Sequence, residues 1–280
     1  MTTSLTCLSP AKLNLFLHVT GRRPDGRHNL QTIFQLLDWG DEMTFKRQDT
    51  PGCFLDTVFE GVSPEHNLIL RAARLLLPTT HSLGGVRITI KKNIPLGGGL
   101  GGGSSNAATT LLALNHLLGL GHTEETLANM GLELGADVPV FVQGRSAWGE
   151  GTGEILTPMT LAESWFVILR PGCHVSTADI FSAPELTRNT PPITMSAASK
   201  GGDHNDLQAV VEKRHPEVRN ALKLLGKSAP AMMSGSGACV FAQVNTQARA
   251  KAIAAKVPEA LSPVVARGIN QRPPFIAEYD

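Results

Sequence analysis

The sequence predicts an α+β fold in two domains, residues 1–157 and 158–280, and three observations carry that reading. In the first half, an alternating strand pattern at Val86–Ile90 runs into a glycine loop and then a helical pattern. Near residue 157 the composition shifts, and Pro158 and Pro171 bracket a new apolar strand, Trp165–Leu169. In the second half the order is strand, helical stretch, two strands, helix, strand. With its first two helical runs merged, this is the β-α-β-β-α-β order of a ferredoxin-like split layer. A length of 280 residues suits one large or two ordinary domains.

Composition excludes several function classes. Hydrophobic residues make up 42% of the chain, enough for a real core. The 25 basic and 24 acidic residues are interspersed, so neither nucleic acid nor an anionic membrane is an expected partner. The apolar runs fall far short of the roughly eighteen residues of a membrane span. Lys12 and Asn14 break the apolar stretch where a signal peptide would need it. Cys7, Cys53, Cys173 and Cys239 show neither pairing nor metal-ligand spacing, as in a reduced, cytoplasmic protein.

Along the chain, Ala11–Val19 alternates, with Leu13, Leu15 and Leu17 on one face and Lys12, Asn14 and His18 on the other. A solvated strand face would explain the polar set. A polar turn at Gly21–His28 leads into a strand at Leu30–Leu37, and Asp41–Phe59 is strand-like but irregular. Asn67 is a natural N-cap for an amphipathic helix reaching Leu77. After the glycine loop, Ala107, Leu111, Leu114 and Leu118 trace a helix face. A second helix spans Thr123–Leu134, stopped by Gly135. Asp137 then reads as the N-cap of a short helix with proline in its first turn. Beyond Leu169, helices are expected near 205–215, 217–225 and 246–257, and strands near 231–233, 238–244 and 264–267. The stretch 188–205 reads as loop.

Everything in this order is arranged around Pro95–Ala108. Six of the seven residues from Gly97 to Gly103 are glycine, which no packed element favours. Bare backbone N–H groups at a helix start form an anion site. A Walker loop would need a lysine where Gly103 stands. Gly97, Gly99 and Gly102 match the dinucleotide fingerprint as letters, but no second strand with an acidic end follows Leu118.

The segment Pro95-Leu96-Gly97-Gly98-Gly99-Leu100-Gly101-Gly102-Gly103-Ser104-Ser105-Asn106-Ala107-Ala108 resembles the ATP loop of the galactokinase, homoserine kinase, mevalonate kinase and phosphomevalonate kinase (GHMP) superfamily. It is most similar to the branch whose members phosphorylate the 2-hydroxyl of a cytidine-diphosphate-linked methylerythritol in isoprenoid precursor synthesis. Pro10–Leu15 and Ser234–Cys239 resemble the superfamily's first and third motifs, in the right order. The resemblance implies an N-terminal mixed sheet with helices, a C-terminal ferredoxin-like layer and an active site in the cleft between them.

It also implies roles. Gly97, Gly98, Gly99, Leu100, Gly101, Gly102 and Gly103, with Pro95, Ser104 and Ser105, would hold ATP. Asn67 would lie near its adenine and Lys92 within reach of the nucleotide. Mg²⁺ is implied as cofactor, with Ser105 a candidate contact. Gly135-Ala136-Asp137-Val138-Pro139 resembles the segment whose aspartate is the catalytic base, and Lys12 the lysine beside the substrate hydroxyl. Lys12 would steady Asp137, polarise the hydroxyl or stabilise charge on the transferred group. Asn14, Arg27, His28, Phe34, Thr177 and Phe181 would contact the substrate, with His28 hydrogen-bonded to cytosine. Arg27 replaces the tyrosine that stacks on the base, and a guanidinium plane can stack in its place. The alternatives are a homoserine- or mevalonate-type kinase, a catalytically silent nucleotide-binding regulator and, last, a dinucleotide oxidoreductase.

Overall fold

The computed structural model describes residues 2–59, 61–77, 84–198 and 204–279. Two long strands, β1 (Thr2–Arg22) and β2 (His28–Gln48), pair antiparallel along nearly their full length. The register of the pair slips at Pro10/Lys12, Asn14/Leu17 and Val19/Gly21. A slip turns backbone groups away from the ladder, and buried ones must find partners elsewhere. Lys12 N–H donates to Leu100 O of the glycine loop at 3.0 Å, and Leu17 N–H to His204 O at 3.0 Å. The irregularities of β1 therefore attach both the glycine loop and the second half of the chain.

β3 (Gly52–Leu55) runs parallel to β4 (Gly85–Lys91), which pairs with β2 at Glu42–Gln48. Between them lies α1 (Leu68–Leu76), capped as expected: Asn67 Oδ1 accepts from Ile69 N–H at 2.9 Å. α2 (Gly102–Leu118) starts within the glycine run, five residues before the expected apolar face. Gly101, at φ 73°, is its N-cap, and Ile94 fills the space a side chain on Gly102 would need, 2.8 Å from that Cβ position. Close packing there outweighs the low helix propensity of glycine. α3 (Glu124–Leu132) and α4 (Val138–Gln143) follow, then the hairpin β5 (Ala147–Glu150) and β6 (Ile155–Pro158), with β5 on β2 at Thr32–Phe34.

The second half contains β7 (Trp165–Leu169), α5 (Thr177–Ser182), α6 (Met195–Ala198), α7 (Gln208–Arg214), α8 (Pro216–Gly226), β8 (Ala231–Met233), β9 (Val240–Val244), α9 (Gln247–Ala254), β10 (Val264–Ile269) and β11 (Ile276–Tyr279). Its strands lie in the antiparallel order β10-β7-β9-β8, the split layer read from the sequence. Pro216 keeps α7 and α8 distinct, because it cannot donate to the preceding turn. The stretch expected as loop contains α6, and its residues 199–203 lie outside the described set. β11, unanticipated, pairs with β1 at Thr2–Thr6. β10 touches β2 at Leu36 and Leu37, so the eleven strands among the described residues form one sheet.

One apolar core lies between β1, β2, β4 and the helices α1, α2 and α4. Leu111 and Leu114 of α2 are fully buried in it, each contributing about 1.5–3 kcal/mol. A second core joins β7–β9 to α7–α9 and takes Leu17 and Val19 from β1. Among the described residues, no helix is long and apolar enough to cross a membrane.

Candidate active site

The glycine loop is fixed from both halves of the chain. Gly97, Gly99 and Gly101 have φ of 65°, 73° and 73°, the left-handed region where a side chain is strained. A Cβ on Gly99 would stand 2.1 Å from Ser234 O. That contact belongs to the 234–239 turn, which resembled the third motif. Ser234 Oγ donates to Gly99 O at 2.9 Å, and Cys239 N–H donates to Gly98 O at 3.1 Å. Burial pushes the Cys239 thiol up to about 12, so the wall behind the loop adds no negative charge there.

From the other side the loop is anchored by Asp41. This fully buried carboxylate accepts from the N–H groups of Asn93 and Ile94 at 2.7 and 2.9 Å, and from Asn106 Nδ2 at 2.9 Å. Lys92 Nζ donates to Asp41 and, at 3.1 Å, to Asn106 Oδ1. Lys92 is thus engaged in the loop's foundation. Ser105 is fully buried too, accepting from Ser9 Oγ at 2.8 Å, so its hydroxyl is turned into the protein. Ser104 lines the cavity instead.

That cavity, of about 340 Å³, brings together Lys12, Asn14, Thr32, Phe34, Gly97, Gly99, Gly101, Ser104, Asp137 and Thr177. Lys12 Nζ lies 3.2 Å from Asp137 Oδ2 and donates to Asn14 Oδ1 at 2.6 Å and to Gly99 O at 3.4 Å. It also sits 5.5 Å above the Phe34 ring. Asn14 Nδ2 donates to Thr32 Oγ1 at 2.9 Å, which fixes the amide's orientation. Asp137 stands at the start of α4 but makes no side-chain cap bond. Its carboxylate, a third exposed, pairs with Lys12 across the cavity instead. Thr177, at the start of α5, meets Ser236 Oγ at 2.6 Å. The expected substrate loop is therefore a short helix joined to the 234–239 turn.

A larger cavity of about 580 Å³ adjoins this one through shared walls at Leu30, Ala136, Thr152 and Phe181. It contains exposed Arg27, together with Arg22, His28 and Arg188. His28 stacks on Phe181 with ring centroids 5.2 Å apart. Burial first, then the positive charges of Arg188 and Arg22, hold the His28 ring below its ordinary pKa. A third cavity, about 190 Å³, is formed by Asn67, Leu68, Leu96, Gly103 and Asn106, with Phe59 at its edge. Asn67 therefore both caps α1 and lines a cavity beside the helix that ends the glycine loop.

Sequence reasoning missed Asp41, Ser9 and Arg188. Each gains its role from partners far along the chain, and no local pattern marks them. Ser234 and Ser236 lay inside a recognised segment, which was a usable signal.

The model for the GHMP kinases N terminal domain matches residues 67–145, and that for the GHMP kinases C terminal matches 184–262. The chain is 53% identical over 269 residues to the 4-diphosphocytidyl-2-C-methyl-D-erythritol kinase of Pseudomonas syringae pv. syringae (strain B728a), covering 96% of this chain and 95% of that one. It is 51% identical to the enzyme of that name from Marinobacter nauticus, covering 98% and 97%. A crystal structure of 4-(cytidine 5'-diphospho)-2C-methyl-D-erythritol kinase superposes with a TM-score of 0.82 at 32% identity, covering 94% of this chain and 98% of that one. With both family models matched and relatives above half identity along almost the whole length, this chain belongs to the GHMP kinase family, among the 4-diphosphocytidyl-2-C-methyl-D-erythritol kinases.

Proposed function

We infer that this chain transfers the γ-phosphoryl group of ATP to the 2-hydroxyl of 4-diphosphocytidyl-2-C-methyl-D-erythritol, in isoprenoid precursor synthesis. The observation that carries the reading is the Lys12–Asp137 pair, 3.2 Å apart, in the cavity that also contains the glycine loop. Phosphoryl transfer asks mainly for positioning and charge stabilisation. The backbone N–H groups of residues 97–103 and the start of α2 suit the ATP phosphates. Asp137, the one carboxylate among the described residues lining this cavity, takes the hydroxyl proton. Lys12 steadies that carboxylate and offsets charge on the phosphoryl group. Asn14 and Phe34 hold Lys12 in place.

Among the oxygen donors lining the cavity, Ser104 and Asp137 suit a magnesium ion. When bound, it would neutralise charge on the phosphates. Buried Ser105 suits that role less well than Ser104. The cavity of Asn67 and Leu96 suits the adenine. Arg27, His28, Phe181 and Thr177 suit the cytidine end of the substrate. The four free cysteines support a reducing, cytoplasmic setting. The two largest cores support a division near residue 157, although a third cluster packs Leu13 and Leu100 against Phe166 and Phe241 across it, and β10 and β11 return to the first half.

The test is phosphoryl transfer by purified protein with ATP, followed by phosphorus NMR, on the cytidine-linked alcohol, homoserine and mevalonate. Product from the first alone is expected. Turnover of homoserine or mevalonate in its place would overturn the substrate. ATP binding with no turnover of any acceptor would make the chain a silent regulator.

A further inference from the structure

Arg188 is tied to four acceptors at once. Its NH1 donates to Leu186 O at 3.0 Å, and its NH2 to Phe181 O at 2.9 Å and Ala183 O at 2.7 Å. These carbonyls come from the end of α5 and the chain just after it. Its Nε donates to His28 Nε2 at 3.1 Å. The planar guanidinium is always charged and cannot accept, so its orientation is set by three main-chain oxygens and its Nε–H is aimed at one ring atom.

We propose that Arg188 is a positioning residue that fixes the tautomer of His28, so that the ring presents Nδ1–H to the base and selects cytosine over uracil. The step is one of elimination. A nitrogen that accepts from Arg188 has no proton, so in the neutral ring the proton must sit on Nδ1. His28 and Arg188 line the same cavity as Arg27 and Phe181. There the ring can only donate. Cytosine offers an acceptor at N3, where uracil carries an N–H, and two opposed donors leave buried groups unpaired. Without Arg188 the ring would be free to switch tautomers and suit either base. This inference rests on the cytidine substrate proposed above.

The charged groups in the cavity with His28 are Arg188, Arg22, Arg27 and, as its one carboxylate among the described residues, Glu133; burial first, then Arg188 and Arg22, hold the ring's pKa down. Acid therefore gives a diagnostic. Protonation places hydrogens on both ring nitrogens, which restores Nδ1–H in a variant lacking Arg188.

The experiment compares CMP and UMP binding by calorimetry in the wild type, Arg188→Met and Arg188→Lys. The Met variant keeps the apolar stem but loses every donor. Expected for it is a CMP affinity about ten-fold weaker, with UMP changed about two-fold or less. The variant-to-wild-type gap for CMP narrows as the pH is lowered and the ring takes up its second proton. The kinetic loss falls on KM for the cytidine substrate rather than on kcat, and Lys, which can still donate to Nε2, recovers part of it. Nitrogen-15 shifts of the wild-type ring, assigned with His28→Gln, report the tautomer without relying on Arg188 variants folding. An Nε2–H ring overturns the proposal. So does an equal loss of CMP and UMP that is independent of pH, since that is what a purely structural clamp would give. Absence of CMP binding by the wild type would instead remove the substrate reading itself.

Discussion

Two lysine–aspartate pairs flank the glycine loop, and their carboxylates differ in what is left for them to do. Asp41 is fully buried and takes bonds from two backbone N–H groups, Asn106 and Lys92. Asp137 is a third exposed, and its ionic partner is Lys12. A carboxylate that already accepts four donors has no lone pair to offer a substrate proton. One that is half satisfied and faces a cavity does. Pairing with lysine beside a phosphate loop is therefore no mark of catalysis. The number of donors already in place separates foundation from chemistry.

The contrast can be broken by experiment. Asp137→Asn should lower kcat by a hundred-fold or more while leaving the denaturant midpoint near that of the wild type, because an amide cannot take the proton. Lys12→Ala should lower kcat on the same order. Near-normal turnover in both, with folding intact, would remove them from the mechanism. Asp41→Ala should do the reverse: it removes the carboxylate that half-buried Lys92, Asn106 and two backbone donors share, costing about 3 kcal/mol in urea unfolding. A wild-type unfolding curve for that variant would erase the distinction between the two pairs.

Lys92→Met sharpens the comparison, since the sequence placed Lys92 on the nucleotide. With its ammonium on Asp41, the variant should lose stability while KM for ATP rises less than about three-fold, under 1 kcal/mol. A rise beyond about ten-fold would return Lys92 to the phosphates. The smallest effect is expected from the adjacent serines. Ser105→Ala removes the acceptor for Ser9 Oγ and should cost about 1 kcal/mol of stability, with ATP kinetics little changed. Ser104→Ala should keep stability and shift the Mg²⁺ dependence of the rate.

The sequence made legible what near neighbours, the order of elements or a recognisable motif mark. Asn67 caps the helix it precedes, the split layer has its strands in the expected order, and Lys12 and Asp137 share a cavity with the glycine loop. Its misreadings had local causes too. The serines Ser104 and Ser105 mark the helix start from the sequence, whereas packing of Ile94 against bare glycine lets α2 begin two residues earlier, at Gly102. What stayed hidden is distant pairing that no motif marks. Asp41 meets Asn93 N–H across 52 positions and Arg188 meets His28 across 160, and neither pairing leaves a trace in its own neighbourhood.

The pairing of β1 with β11 has a consequence for synthesis. Thr3 shares a hydrogen bond with Glu278, made 275 residues later. While the chain emerges, β1 can pair with β2 within its own hairpin, but its outer edge at Thr2–Thr6 stays open until the far strand leaves the ribosome. Contacts of such sequence separation close slowly. Lys12, the lysine proposed above to act in catalysis, is thus on a strand laid down early whose sheet is among the last parts of the molecule to be completed.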